Sequence, residues 1–203
     1  NQGYIRCRKG SLVMYALKDY LGEDRINQAL ARLIDEVAYQ YDPYPRSVDL
    51  IRHLKAVAET DDEIRLIEDL FERITLWDLA TEDAAVIENE DGTFTVTIDI
   101  DASKLEADGL GRETEVDLDM PIDIGVFTMR PDDDEFSSEA VLHLQKHRVT
   151  SGENRFEFTV DRRPATVGTP PPIARLAPTQ PTPGGGRISS SARSRRRARG
   201  APY

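Results

Sequence analysis

Two histidines four residues apart, His143 and His147, are the pair whose spacing first suggests chemistry, because His-x-x-x-His on a helix can grip one metal ion. The hydrolytic form of that motif also needs a glutamate after the first histidine, to activate water. This chain reads His-Leu-Gln-Lys-His, without the glutamate. The neighbours Val141, Leu142, Leu144 and Val149 predict a strand. Residues four apart on a strand stand about 13 Å apart, at about 3.3 Å per residue. On that spacing the two rings are too distant to share a zinc ion, and no metal ligand is assigned. His53, the third histidine, has no partner at helical spacing and is expected on a helix face.

The acidic runs give less. Asp132-Asp133-Asp134-Glu135 follows Pro131 and reads as a solvated loop, while Asp99 and Asp101 alternate with Ile98 and Ile100 as the outer face of a strand would. Neither has the Asp-x-Asp-x-Asp-Gly order of a calcium loop. Residues 1–161 hold all 37 acidic and 17 of the 26 basic residues, a net of −20, whereas 162–203 carry +9. A body that acidic repels phosphate backbones, so no nucleic-acid partner is expected. The arginines from Arg193 to Arg199 have no aromatic or folded support and read as non-specific charge. The single cysteine, Cys7, allows no internal disulfide and fits a reducing compartment. It sits in a basic turn, Arg6-Cys7-Arg8-Lys9, that runs through Gly10 into an apolar stretch. On spacing alone this is how any amphipathic helix starts, with Cys7 a small buried hydrophobe.

The elements that position these residues follow from periodicity. Leu12, Val13, Tyr15, Ala16, Leu17, Tyr20 and Leu21 predict a first helix stopped by Gly22. Asp24 is expected to cap a second, with Ile26, Ala29, Leu30, Leu33, Ile34 and Val37 on its apolar stripe. Tyr39 to Pro45 breaks the pattern. Ser47 should cap a third helix carrying Leu50, Ile51, Leu54 and Val57. Thr60-Asp61-Asp62-Glu63 is a capping box before a fourth with Ile64, Ile67, Leu70, Phe71 and Ile74. At Leu76-Trp77 the period becomes alternating. Strands are predicted at 85–88 and 94–100 around Asp91-Gly92, then at 114–118, 122–129, 140–149 and 155–160. The fold class is therefore α+β: a helical layer over 1–76, an antiparallel β-sandwich over 77–163, and a disordered Pro/Gly/Arg-rich tail over 164–203. No apolar run approaches the roughly 20 residues that cross a bilayer. The chain begins at Asn1 rather than Met, and is expected to be a piece of a longer protein.

The order Arg8-Lys9-Gly10-Ser11-Leu12-Val13-Met14-Tyr15-Ala16-Leu17 resembles the tyrosine helix of zinc aminopeptidases, family M-one of the metallopeptidases, which includes the membrane alanyl aminopeptidases. Their motif there is Tyr-x-Lys-Gly; Lys9 and Gly10 match it, and Cys7 holds the tyrosine's place. Asp19-Tyr20-Leu21-Gly22-Glu23, Tyr44-Pro45 and 67–76 look like bacterial members often fused behind an ABC transporter permease. The strings 121–127 and 149–152 look like the β-sandwich that follows the peptidase domain, so the likeness covers residues 1 to 168. In similar proteins a segment like 164–168 leads into Ile-Asp-Pro-Tyr; here it leads into Thr169-Pro170-Pro171-Pro172, and the remainder reads like a gene translated out of frame.

The resemblance implies that 1–76 ends a thermolysin-like catalytic domain whose zinc is held by His-Glu-x-x-His and a further glutamate upstream of residue 1. Its substrates would be peptide N-termini. The family's tyrosine donates a hydrogen bond to the tetrahedral oxyanion, a contact worth about 3–4 kcal/mol. A cysteine is shorter and a weaker donor. The expectation is a fragment inactive by itself, with no cofactor of its own, cytoplasmic or held at a membrane by an upstream part. A non-catalytic interaction module built on the β-sandwich is the alternative.

Overall fold

A computed structural model describes residues 9–42, 44–131 and 133–169, and the backbone of 186–187. Helix α1, Gly10–Leu21, buries Val13, Ala16, Leu17 and Leu21, one stripe at helical spacing. It ends at Gly22, whose φ of 85° side chains rarely adopt. That glycine also precedes the first turn of α2, Glu23–Val37, so one residue makes the corner and the expected cap, Asp24, lies inside the helix with Glu23. Both carboxylates favour that end of the helix. Ile34, expected on the apolar stripe of α2, is 61% exposed.

Helix α3 is Ser47–Lys55. Its start is closed by the Asp49 carboxylate, which accepts from the Arg46 amide at 2.8 Å, in place of the expected Ser47 cap. His53 is on a helix face as expected, but buried, with Nε2 2.8 Å from Glu36. Helix α4, Asp61–Phe71, is capped by Thr60, whose hydroxyl accepts from the Glu63 amide at 3.2 Å. The Glu63 carboxylate reaches back to the Glu59 amide at 2.7 Å, one residue further than in a simple box, and is gripped by both Nη1 and Nη2 of Arg25. Ile74, expected on the α4 stripe, instead opens a strand.

That strand, β1 (Ile74–Glu88), pairs antiparallel with β2 (Phe94–Ala107) from Ile74↔Ala107 to Glu88↔Phe94, with a bulge between Thr81 and Asp83. Asp91-Gly92 lies in the connecting turn as the sequence predicts. The opposite edge of β2 is taken end to end by two strands. β6 (Gly152–Val160) pairs with Phe94 to Ala102, and β3 (Glu113–Val116) pairs with Lys104 to Ala107. In the second sheet β4 (Asp119–Phe127) lies between β5 (Val141–Thr150) and β7 (Thr166–Gly168), with the two-residue β8 (Gly186–Arg187) beyond β7. Residues 164–169 thus correct the expected start of the tail. Pro164 is buried, Val167 is fully buried, and 166–168 pair with β4, because Val167 gives this short segment an apolar anchor in the core. The rest of the expected tail lies outside the described residues, apart from the backbone of 186–187.

The class is α+β with antiparallel sheets, and two cores hold it. One lies between the sheets, where Val96, Ile98, Ile100 and Phe158 meet Ile124, Val126 and Val167. The other gathers the helices around Leu17, Leu54 and Ile67 and extends to Trp77, Ala102, Ile122 and Val149 of the strands and Leu118 of the β3–β4 link. Polar contacts stitch the same junction. The Tyr20 hydroxyl donates to the Pro121 carbonyl at 2.7 Å. Lys146 bridges Asp19 and Asp123 at 2.7 and 2.8 Å with its ammonium over the Tyr20 ring, and Arg148 joins Asp62 to Asp119. No described helix is long and apolar enough to cross a membrane.

Candidate functional site

The first turn of α1 carries the matched pair of the opening motif. Lys9 has helical backbone angles and an exposed side chain, and Gly10 is the first residue of the helix. Cys7 lies outside the described residues, as does Tyr4. The helix is held from behind by Leu17, wholly buried, and by the Tyr20–Pro121 hydrogen bond. Tyr15, on the same helix, is 61% exposed.

His143 and His147 correct the spacing expectation. Both are on β5, as the sequence predicts, yet their Nε2 atoms are 3.0 Å apart. Residues i and i+4 point to the same face of a strand, and an imidazole is long enough to lean along the strand and close the gap. Behind the rings stand two phenylalanines of β6, in the other sheet. Phe158 is 4.2 Å from the His143 ring and 5.1 Å from the His147 ring, and Phe156 is 5.5 Å from His147, centroid to centroid. Burial, and after it the neighbouring His147, pushes the His143 pKa below the ordinary imidazole value. Arg-Phe-Glu-Phe at 155–158 carried the signal for this aromatic backing as a plain alternation. Among the described residues no group of three or more His, Cys, Asp or Glu is placed to hold a metal ion.

A cleft of about 230 Å³ opens beside α4, lined by Asp62, Arg65, Asp69, Lys104, Asp117 and Asp119 among others. Its cations are committed: Lys104 lies 2.6 Å from Asp69, both nearly excluded from solvent, and Arg65 pairs with Asp62. These groups brace α4 against β2 and show no nucleophile with a base beside it. Asp99 is held in a two-pronged pair with Arg155 at 2.6 Å, which occupies it as the outer-face residue the sequence predicts. The Asp133 carboxylate accepts from the Arg130 amide at 3.2 Å and closes a turn, while Asp132 and Arg193 to Arg199 lie outside the described residues. No family model, no curated protein and no solved structure matches this chain.

Proposed function

We propose that this chain is the C-terminal part of a zinc aminopeptidase and is inactive by itself. The carrying observation is the placement of Lys9 and Gly10 at the first turn of a helix anchored through its far end to β4. Lys9 and Gly10, the matched pair of the motif, thus stand at the start of a helix fixed to the β-sheet, and preorganisation of this kind is what makes an oxyanion donor effective. The described residues do not fit a zinc site, so metal and water activation would come from a segment preceding this one. In such a protein this chain would supply the helical end of the catalytic domain and a β-sandwich behind it. With Cys7 in the tyrosine's place the oxyanion contact is weakened.

The test is to extend the reading frame upstream of Asn1 and assay both products for bound zinc and aminoacyl-anilide hydrolysis. The proposal expects His-Glu-x-x-His upstream, with zinc and any turnover confined to the longer product. Hydrolysis by the short chain, or an upstream sequence without that motif, overturns it.

A second reading, an interaction module that uses the helical layer rather than the expected β-sandwich, is favoured by the tyrosines of the α2–α3 connection. Tyr39, Tyr41 and Tyr44 are 99, 86 and 75% exposed, and Ile34 and Val48 beside them in sequence are also exposed. Aromatic side chains left in water in such number suit a protein contact. A stoichiometric partner lost on replacing the three tyrosines by serine would support it.

A further inference from the structure

The histidine pair on β5 has a geometry that its sequence spacing conceals. The ring centroids are 5.3 Å apart and the Nε2 atoms 3.0 Å apart. The difference is what two centroid-to-nitrogen distances of imidazole take up, so both nitrogens lie close to the line joining the rings. The two lone-pair directions therefore meet head on, and a single proton can sit between them: one ring donates from Nε2 and the other accepts. His143 is held toward its neutral form by burial and by its neighbour.

We propose that His143 and His147 form a two-imidazole site for cuprous copper, bound in linear coordination in the place of that shared proton. Imidazole is a good copper ligand, and opposed lone pairs suit an ion content with two ligands. Zinc asks for four ligands in a tetrahedron, and no third ligand is placed among the described residues. Phe156 and Phe158 pack against the two imidazoles, an apolar setting that favours a singly charged cation over a doubly charged one. Two metal–nitrogen bonds of about 2 Å set end to end need about 4 Å. The rings must back apart by about 1 Å, and because they lean toward each other along the strand, retreat relaxes that lean. On binding, the donor ring moves its proton from Nε2 to Nδ1. Both imidazoles stay neutral, and no proton is released.

The experiment uses the full chain carrying Cys7→Ser, so that no thiolate competes, titrated anaerobically with cuprous ion against a chromophoric chelator. One copper per chain is expected, with affinity at least tenfold lower in His143→Leu and in His147→Leu, and unchanged in His53→Gln. X-ray absorption on the copper-loaded protein should show two nitrogen neighbours in a short, linear first shell. That reading needs no further variant, so it stands even where a histidine substitution unfolds the chain. No copper uptake, a first shell containing methionine sulfur or three or more ligands, or zinc retained as tightly as copper would each overturn the proposal.

Discussion

Tyr20 and Pro121, 101 positions apart, meet through a hydrogen bond of 2.7 Å from the phenol to the backbone carbonyl. It ties α1 to β4, and its donor is largely buried. Burial first, then the carboxylates of Asp123 and Asp19, pushes the Tyr20 pKa above the ordinary phenol value. Tyr20→Phe should lower stability by about 1 kcal/mol, because a half-buried carbonyl loses its partner. Urea unfolding monitored by circular dichroism checks this. The raised pKa also sets a sign: the stabilising contribution is complete below the unfolded value of about 10 and is lost as pH rises beyond it. Alkaline unfolding should therefore be less steep in Tyr20→Phe.

Lys104 and Asp69 form a buried pair, 2.6 Å apart with 11 and 7% side-chain exposure. Lys104→Met should cost up to about 3–5 kcal/mol by taking from a buried carboxylate its close partner and leaving only Arg73, 4.0 Å away. The double variant Lys104→Met with Asp69→Leu should recover most of that loss, since an apolar pair of similar size needs no desolvation of charge. Equal melting temperatures for the single and double variants would contradict this account.

Glu63 is the acid-sensitive cap. Burial raises its pKa, but the hydrogen bond from Arg25 and the amides of Glu59 and Thr60 outweigh it, so the net direction is down. A depressed carboxyl stabilises the fold above its unfolded value of about 4.3, and the contribution disappears as pH falls through the folded value. Glu63→Gln should lower stability at neutral pH and flatten its decline below about pH 4.3. Stability curves that run parallel in acid would rule the cap out as the source.

Gly125 lies in β4 under the Phe127 ring, where an added Cβ would come within 2.2 Å of Cζ. Phe127 is 4% exposed and meets Phe136 edge to face, so its ring cannot swing aside freely. Gly125→Ala should cost about 1–3 kcal/mol through overpacking. The double variant Gly125→Ala with Phe127→Leu should cost less than the two single changes added together, as thermal denaturation can measure.

On the proposed aminopeptidase reading, Cys7 is testable only with a zinc-binding part supplied. In that longer protein Cys7→Tyr should raise kcat about a hundred- to a thousand-fold, the usual worth of one preorganised donor. KM should hardly move, since the contact matters chiefly in the transition state. A longer protein already fully active with Cys7, or one that tyrosine merely destabilises, would remove Cys7 from the oxyanion position.

The helices were legible because buried side chains recur at their spacing: Val13, Ala16, Leu17 and Leu21 announce α1 without help from the rest of the chain. Ile34 and Ile74 misled because the apolar rhythm runs on in the letters after the packing has turned away. The first half of β1 was hidden, since Asp78, Glu82 and Asp83 blur the alternation and the bulge at Thr81/Asp83 resets its phase. For the histidines the strand was right, but the length and lean of the side chains decided the distance. The Lys104–Asp69 pair joins residues 35 apart, and nothing local in either neighbourhood signals it.

Val13 and Val149 belong to one core, with Leu118 and Ile122 between them in sequence. The four helices leave the ribosome before β4 and β5, so the part of their shared core that Ile122 and Val149 close stays open until those strands emerge. Until then this stretch carries an apolar face that only the later strands complete. Cellular yield should therefore depend on holdase chaperones and on translation speed across residues 72–150, even where the finished fold is stable.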